Sequence, residues 1–227
     1  GAHLANRMFC LARTAHGARP QHGITFLLID MTSPGIAVRP IAGLAGDAEF
    51  AEVVFDDVRV PVADRVGGEN EGWDVAKRLM RFARANNTTS GLLRRAWRRA
   101  VGPIERYGGA DSAALRLRLS ECECRLDAFE ALELRMLREA PADGATAVQA
   151  STIKTLATEL HQDIAALGFD AAGQAGSAFP VEDAAVSPWL HEGRFAAAKY
   201  FATRAASIYS GTNETHRNLI ARDLIDD

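Results

Sequence analysis

The sequence predicts an α+β fold, mostly α, in which a partial antiparallel β-domain is followed by an up-and-down helical bundle. Before Gly67-Gly68, short β-rich runs are separated by turn-forming residues, which is typical of antiparallel strands. After Gly72, apolar residues recur at spacings of three and four, which is the period of an amphipathic helix. We therefore predict two domains, residues 1–66 and residues 67–227.

The first domain contains four predicted strands. The second of these is continuously apolar, which indicates an interior strand. Turn formers such as His22-Gly23 and Asp56-Asp57 lie between the strands and favour short reversals of the chain. The predicted strands are residues 8–12, 24–29, 51–55 and 58–60.

Long helical segments with short connections make up the second domain, and this pattern favours a bundle. The first helix begins near Trp73, and the second contains an apolar stripe over residues 115–129. A third runs over residues 147–172, with its own apolar stripe. Two shorter helices are predicted at about residues 194–207 and 212–225. Breaks are predicted at residues 108–109, 141–144 and 173–180.

Composition argues against several classes of partner. The chain has 227 residues and a formal net charge of −3, so charge gives no argument for nucleic acid or for an anionic membrane surface. No apolar run approaches the roughly 20 residues that a membrane-spanning helix needs. Cys122 and Cys124 point to different faces of a predicted helix, and the six histidines form no spaced cluster, so no metal site is predicted. We expect a reduced, cytoplasmic setting.

One run near the C-terminus carries the most functional information: it reads I-Y-S-G-T-N-E-T-H-R-N from Ile208 to Asn218. The pattern Y-x-G-T-N-E-x-x-R within it resembles the closing signature of the acyl-CoA dehydrogenases. Residues 23–30 resemble the central β-domain of that family, and residues 55–61 resemble its passage into the helical bundle. The resemblance covers this chain but only part of a family-length protein, so we expect the C-terminal portion of a longer one.

The resemblance implies FAD-dependent α,β-dehydrogenation of an acyl-CoA thioester. Such a reaction needs a base that is ionised near neutral pH and placed beside the α-carbon, which suits a buried carboxylate. Ser210 stands at one family position for that glutamate, and Ala83 stands at the other. The catalytic base is therefore unknown, and dehydrogenation by these residues alone should be severely impaired.

At other positions the residues of this chain match the family pattern. The resemblance implies that Thr212 and Glu214 contact FAD at the start of the last helix, where free N–H groups suit an electron-rich ligand. The alternative is that Thr212 is only an N-cap and Glu214 only a first-turn acid. The resemblance also implies acyl-CoA contacts by the backbone N–H of Ser210 and by Arg84 and Arg217. A salt bridge is the alternative role for each arginine.

Two functions remain open. The first is an acyl-CoA dehydrogenase-type flavin oxidoreductase, either with an unrecognised base or as a subunit whose homologous partner supplies the glutamate. The family implies a dimer or tetramer and an electron-transfer flavoprotein or similar acceptor. The second is a non-catalytic helical binding or scaffolding subunit of the same fold. The intact Thr212-Asn213-Glu214 run favours the first, and a degraded glycine turn after Asp170 favours the second.

Overall fold

The computed structural model describes residues 1–84, 89–107, 113–139, 146–178 and 187–226. They fall into two compact units, Gly1–Met80 and Arg81–Asp227. The first unit contains the strands and the second contains the long helices, so the predicted fold class, α+β and mostly α, is confirmed. The division into domains at residues 66 and 67 stays a prediction. The predicted breaks at residues 108–109 and 141–144 lie outside the described residues.

Five strands form two antiparallel sheets within Gly1–Met80, all of which is described. One sheet has the order β1-β2-β5 and the other pairs β3 with β4. The predicted interior strand is indeed the central one, β2, and it buries Phe26 and Ile29. The strands are β1 (Arg7–Arg13), β2 (Ile24–Asp30), β3 (Ile36–Ile41), β4 (Phe50–Phe55) and β5 (Arg65–Val66).

One predicted strand was wrong, and the two-residue strand β5 was not predicted. Residues 58–60 alternate apolar and charged side chains, but they join neither sheet of this unit and lead instead into the 3₁₀ turn Val62–Asp64. A strand requires a partner, which the sequence pattern cannot supply. In contrast, β3 was not predicted. It contains Pro40, which lacks the N–H that a central strand would use but is tolerated in an edge strand.

Six helices are described, and α4 lies at the centre of its unit, where it packs against α2, α3, α5 and α6. Its bounds agree with the predicted residues 147–172. The fifth helix begins before the predicted residue 194, because Ser187 caps it and Pro188 occupies its first turn. None of the described helices has the length and apolar character needed to cross a membrane. The helices are α1 (Gly72–Arg84), α2 (Ser90–Tyr107), α3 (Ala113–Glu139), α4 (Ala147–Ala172), α5 (Pro188–Thr203) and α6 (Asn213–Asp226).

The core of the helical unit forms around one face of α4. Leu160, Ile164 and Leu167 of the predicted stripe are buried against residues of α2 and α3, including Leu126. Leu156, which was also assigned to this stripe, is 43% exposed instead. It lies at the edge of the stripe, and Ala157 takes the buried place beside Ile153.

Candidate functional site

The C-terminal signature forms a tight turn that leads into α6. Ser210 has a φ of +56° and Gly211 a φ of +92°, so two successive residues adopt left-handed backbone conformations. Glycine is required at 211 for a second reason, because a Cβ atom there would lie 2.8 Å from Nε2 of His216. Ser210 is not a glycine, and side chains rarely adopt this conformation. Such local strain tends to collect at functional sites.

Thr212 caps the helix that follows the turn. Its Oγ1 atom accepts a hydrogen bond from the backbone N–H of Thr215 at 3.2 Å. Glu214 lies exposed in the first turn of α6. A hydrogen bond from its own backbone N–H lowers the pKa of Glu214, and one from Thr212 lowers it further. Both residues therefore have the local roles of N-cap and first-turn acid, and their contact with FAD stays a prediction.

Polar side chains on α4 hold this turn in place. They recur at helical spacings and lie on the side of α4 that faces α6, whereas the apolar stripe faces α2 and α3. All are buried or half-buried, which is unusual for polar groups unless they are hydrogen-bonded. We call this set the polar stripe of α4: Ser151, Lys154, Thr158, Glu159 and Gln162.

Lys154 is the buried cation of this stripe and is only 3% exposed. Its Nζ atom donates to the carbonyl oxygen of Gly211 at 2.7 Å and to Oδ1 of Asn213 at 2.7 Å. Oγ1 of Thr158 lies 3.2 Å from the same Oδ1 atom and 2.9 Å from the carbonyl oxygen of Lys154, so its single proton is shared between these acceptors. Burial lowers the pKa of Lys154, while the nearby carboxylates of Glu214 and Glu159 oppose that shift. The ammonium thus ties the turn and the start of α6 to the middle of α4.

His216 holds the other half of the turn and is 1% exposed. Its Nε2 atom lies 3.0 Å from the carbonyl oxygen of Ser210, and its Nδ1 atom lies 3.0 Å from Oγ of Ser151. A carbonyl oxygen can only accept, so Nε2 carries a proton, and in the neutral imidazole Nδ1 then accepts from the serine hydroxyl. The imidazole therefore links α4 to the Ser210 carbonyl through a defined tautomer.

Glu159 binds two residues of α6. It accepts a hydrogen bond from Nδ2 of Asn213 at 3.2 Å and forms an ion pair with Arg217. The salt bridge that was the alternative role for Arg217 is therefore present, between two helices. The Arg217 side chain remains 54% exposed, and its contact with acyl-CoA stays a prediction.

The segment before the turn is tied to α4 as well. Nε2 of Gln162 donates to the carbonyl oxygen of Thr203 at 2.9 Å and to Oγ of Ser207 at 3.1 Å. These bonds fix the 3₁₀ turn Arg204–Ser207, which directly precedes the signature. The polar stripe of α4 consequently anchors the chain on both sides of Ser210.

The predicted site residues divide into two groups. Ser210, Thr212, Glu214 and Arg217 come together at the turn and in the first turns of α6. Ala83 and Arg84 belong to the backbone of α1, but their side chains lie outside the described residues. The predictions for the side chains of Ala83 and Arg84 therefore fall outside the described residues.

Sequence reasoning missed Lys154, Asn213 and His216, which shape the site. A signal was present, because Ser151, Lys154 and Thr158 are spaced by three and four residues inside an otherwise apolar helix. That spacing predicts a polar line along one face. Only the fold shows that this line is buried against the signature.

Comparison of the sequence with known proteins identifies its relatives. A family model described as the acyl-CoA dehydrogenase C-terminal domain matches residues 70–225. The acyl-CoA dehydrogenase IpdE1 of Mycolicibacterium smegmatis is 32% identical over 226 residues, which are 99% of this chain and 54% of that protein. The chain thus spans about half the length of the curated relatives it matches.

Solved structures share the fold at lower identity. The Tcur3481-Tcur3483 steroid ACAD superposes with a TM-score of 0.81 and 23% identity, covering 100% of this chain and 58% of that one. The ChsE4-ChsE5 complex from Mycobacterium tuberculosis gives a TM-score of 0.77 at 23% identity, covering 99% and 58%. The name of each of these two structures contains two components, Tcur3481 with Tcur3483 and ChsE4 with ChsE5.

Proposed function

The chain belongs to the acyl-CoA dehydrogenase family, and on that premise we propose that it forms part of an FAD-dependent enzyme that introduces an α,β double bond into an acyl-CoA thioester. The observation that carries this proposal is the left-handed turn at Ser210 and Gly211, held by His216 and Lys154. A turn fixed in this way suits recognition of a small polar group by the backbone.

We assign the backbone N–H of Ser210 to the thioester carbonyl. Hydrogen-bond donors that are already oriented stabilise developing negative charge without reorganising during the reaction. The carbonyl oxygens of Ser210 and Gly211 are both bound from within the fold, by His216 and Lys154. The backbone around Ser210 therefore has little freedom to turn away from a ligand.

The start of α6 fits FAD through hydrogen-bond acceptors. Glu214 is exposed and its lowered pKa keeps it ionised near neutral pH, so it can accept hydrogen bonds from hydroxyl or amino groups of the cofactor. The same charge would repel the phosphates of FAD. We propose that Glu214 and Thr212 contact the hydroxyl-bearing or amino-bearing parts. When bound, the flavin supplies the hydride acceptor.

Arg217 and Arg84 are proposed contacts for the anionic CoA moiety. Arg217 is about half exposed beside Glu159, and its guanidinium carries five donors, of which one carboxylate uses only part. An arginine oriented by a carboxylate can still bind a phosphate. The corresponding role for Arg84 rests on the family position alone.

We propose that the base comes from a homologous partner subunit. A serine hydroxyl at 210 is almost fully protonated near neutral pH, and alanine occupies the second family position at 83. The names of two structures with the same fold each pair two components, which supports an assembly of this kind. Electrons would then pass to an electron-transfer flavoprotein or a similar acceptor.

The test uses the complete natural protein, produced alone and together with a homologous subunit. Flavin absorbance that bleaches when acyl-CoA is added would support the proposed reaction, and bleaching only in the mixed preparation would support the partner-supplied base. Bleaching by the protein alone would contradict the partner form. A colourless protein that cannot be reconstituted with FAD would contradict both, and would favour a helical binding or scaffolding subunit.

A further inference from the structure

The role that we infer for Lys154 goes beyond the family assignment and rests on the proposed function. We propose that Lys154 is a positioning residue: its ammonium fixes the backbone of residues 210–212 and thereby sets the direction in which the Ser210 N–H meets the thioester carbonyl. It would touch neither the substrate nor the cofactor.

The first step of the argument is the location of the charge. Lys154 lies in the middle of α4 and is 3% exposed, and burying an ammonium is costly unless hydrogen bonds compensate. Its two hydrogen-bond acceptors, the Gly211 carbonyl and the Asn213 amide, are uncharged. An apolar side chain would suit the centre of this helix better if packing were the only requirement. The presence of the ammonium is therefore explained by its hydrogen bonds to the turn and to the start of α6.

The second step is the geometry of the turn. Peptide units are planar, so a bond that fixes a carbonyl oxygen also fixes the N–H group of the next residue. His216 fixes the carbonyl of Ser210, and Lys154 fixes the carbonyl of Gly211. Together they hold both peptide planes that adjoin Gly211. The N–H of Ser210 belongs to the peptide before these two planes, so the two bonds act on it through the φ angle of Ser210. Ser210, at a φ of +56°, could otherwise relax towards an ordinary backbone angle, which would rotate its N–H.

The third step separates Lys154 from the rest of the polar stripe of α4. The Thr158 hydroxyl lies 3.2 Å from Oδ1 of Asn213, so it can donate its proton to that atom when Lys154 is removed. For Gly211, in contrast, the ammonium of Lys154 is the donor that comes from α4. Loss of the ammonium should consequently act on the turn more than on the start of α6.

Three substitutions distinguish these roles. Lys154→Met keeps most of the stem and removes the ammonium. Lys199→Met makes the same change at an exposed lysine on α5 and serves as the control. Thr158→Val is nearly isosteric and removes the other donor to Asn213, leaving the bond to Gly211 in place. All three are made in the complete protein with FAD and its partner subunit.

The measurement is hydrogen exchange of the peptide covering residues 208–213, with and without acyl-CoA, alongside the FAD content. In the natural protein we expect acyl-CoA to slow this exchange by about tenfold or more. In Lys154→Met the exchange without ligand should be about tenfold faster, as expected when a buried acceptor loses its donor, and the slowing by acyl-CoA should disappear. Lys199→Met and Thr158→Val should keep the slowing, and all variants should retain FAD.

Each outcome bears on a different proposal. Equal slowing in the natural protein and in Lys154→Met would overturn the role of Lys154 while leaving the proposed function standing. Absence of slowing in the natural protein would overturn the proposed function, and this inference with it. If Lys154→Met does not fold, the same hydrogen-exchange measurement is made on Lys154→Gln. Its shorter amide cannot reach both acceptors, so we again expect the slowing to be lost, and unchanged slowing would overturn the inference.

Discussion

Ser210 and Gly211 are adjacent but meet different constraints. Gly211 is required by the backbone, because its φ of +92° and its approach to His216 leave no place for a side chain. Ser210 adopts a left-handed angle, and its side chain is exposed at the position that we predict to correspond to the base of many family members. The backbone conformation of the turn can therefore be preserved while the side chain at residue 210 differs.

Gly211→Ala should destabilise the protein. We expect a loss of about 1–3 kcal/mol in the free energy of unfolding, because alanine is strained at this φ and would displace His216. Gly102→Ala is the matched control. A Cβ atom at Gly102, inside α2, would meet nothing within 4 Å, so the change should instead add about 0.5–1 kcal/mol. Urea unfolding measures both, and equal stability of the two variants would contradict the expected role of the turn.

Ser210→Glu should restore a base to the turn. We expect the rate of flavin reduction by acyl-CoA to rise by about 10²–10⁴-fold over the natural protein assayed without a partner, which is the usual contribution of a positioned general base. Ser210→Gln is the control, since it has similar size but cannot accept the proton. Ala83→Glu tests the second family position in the same way. A stopped-flow measurement that finds no gain from either glutamate would place the base elsewhere.

At the scale of elements, α4 has two buried faces with different chemistry. One face is apolar and forms the core with α2 and α3. The other is the polar stripe, which binds the signature and the first turns of α6. A capping box at Thr146 and Gln149 begins this helix, so its register relative to the turn is set from its first residue. α4 therefore contributes one face to the hydrophobic core and the other face to the candidate site.

Two leucines of α4 should respond differently to truncation. Leu167 is fully buried, and Leu167→Ala should cost about 2–5 kcal/mol because it leaves a cavity. Leu156 is 43% exposed on the same helix, and Leu156→Ala should cost about 1 kcal/mol or less. Chemical denaturation of both variants checks this difference. Similar losses would mean that the apolar face of α4 is not the one described.

At the scale of the whole molecule, the described residues divide into a unit that contains the strands and a unit that contains the long helices, and the signature lies with the anchors described above in Arg81–Asp227. These anchors are side chains of α4 and α6. The turn is therefore a property of the helical unit. The base is the component of the proposed chemistry that we assign to another subunit.

A mixed assembly should carry the activity. When the complete protein is produced with a homologous subunit that has glutamate at the signature position, we expect native mass measurements to show both chains in one complex. Replacing that glutamate by glutamine should lower acyl-CoA oxidation by about 10²–10⁴-fold. Glu123→Gln, at an exposed site on α3 of this chain, is the control and should leave the rate unchanged. Full activity without the partner's glutamate would contradict the partner-supplied base.

The sequence by itself determined the family, the fold class and the bounds of α4, because the signature and the helical period are local patterns. It also located Ser210, Thr212 and Glu214 at one turn. Only the tertiary structure decided what holds that turn. Lys154 and Gly211 are 57 residues apart, and Ser151 and His216 are 65 apart. Contacts over such separations depend on how helices pack, so a buried lysine could not be told from an exposed one until α4 and α6 were in contact.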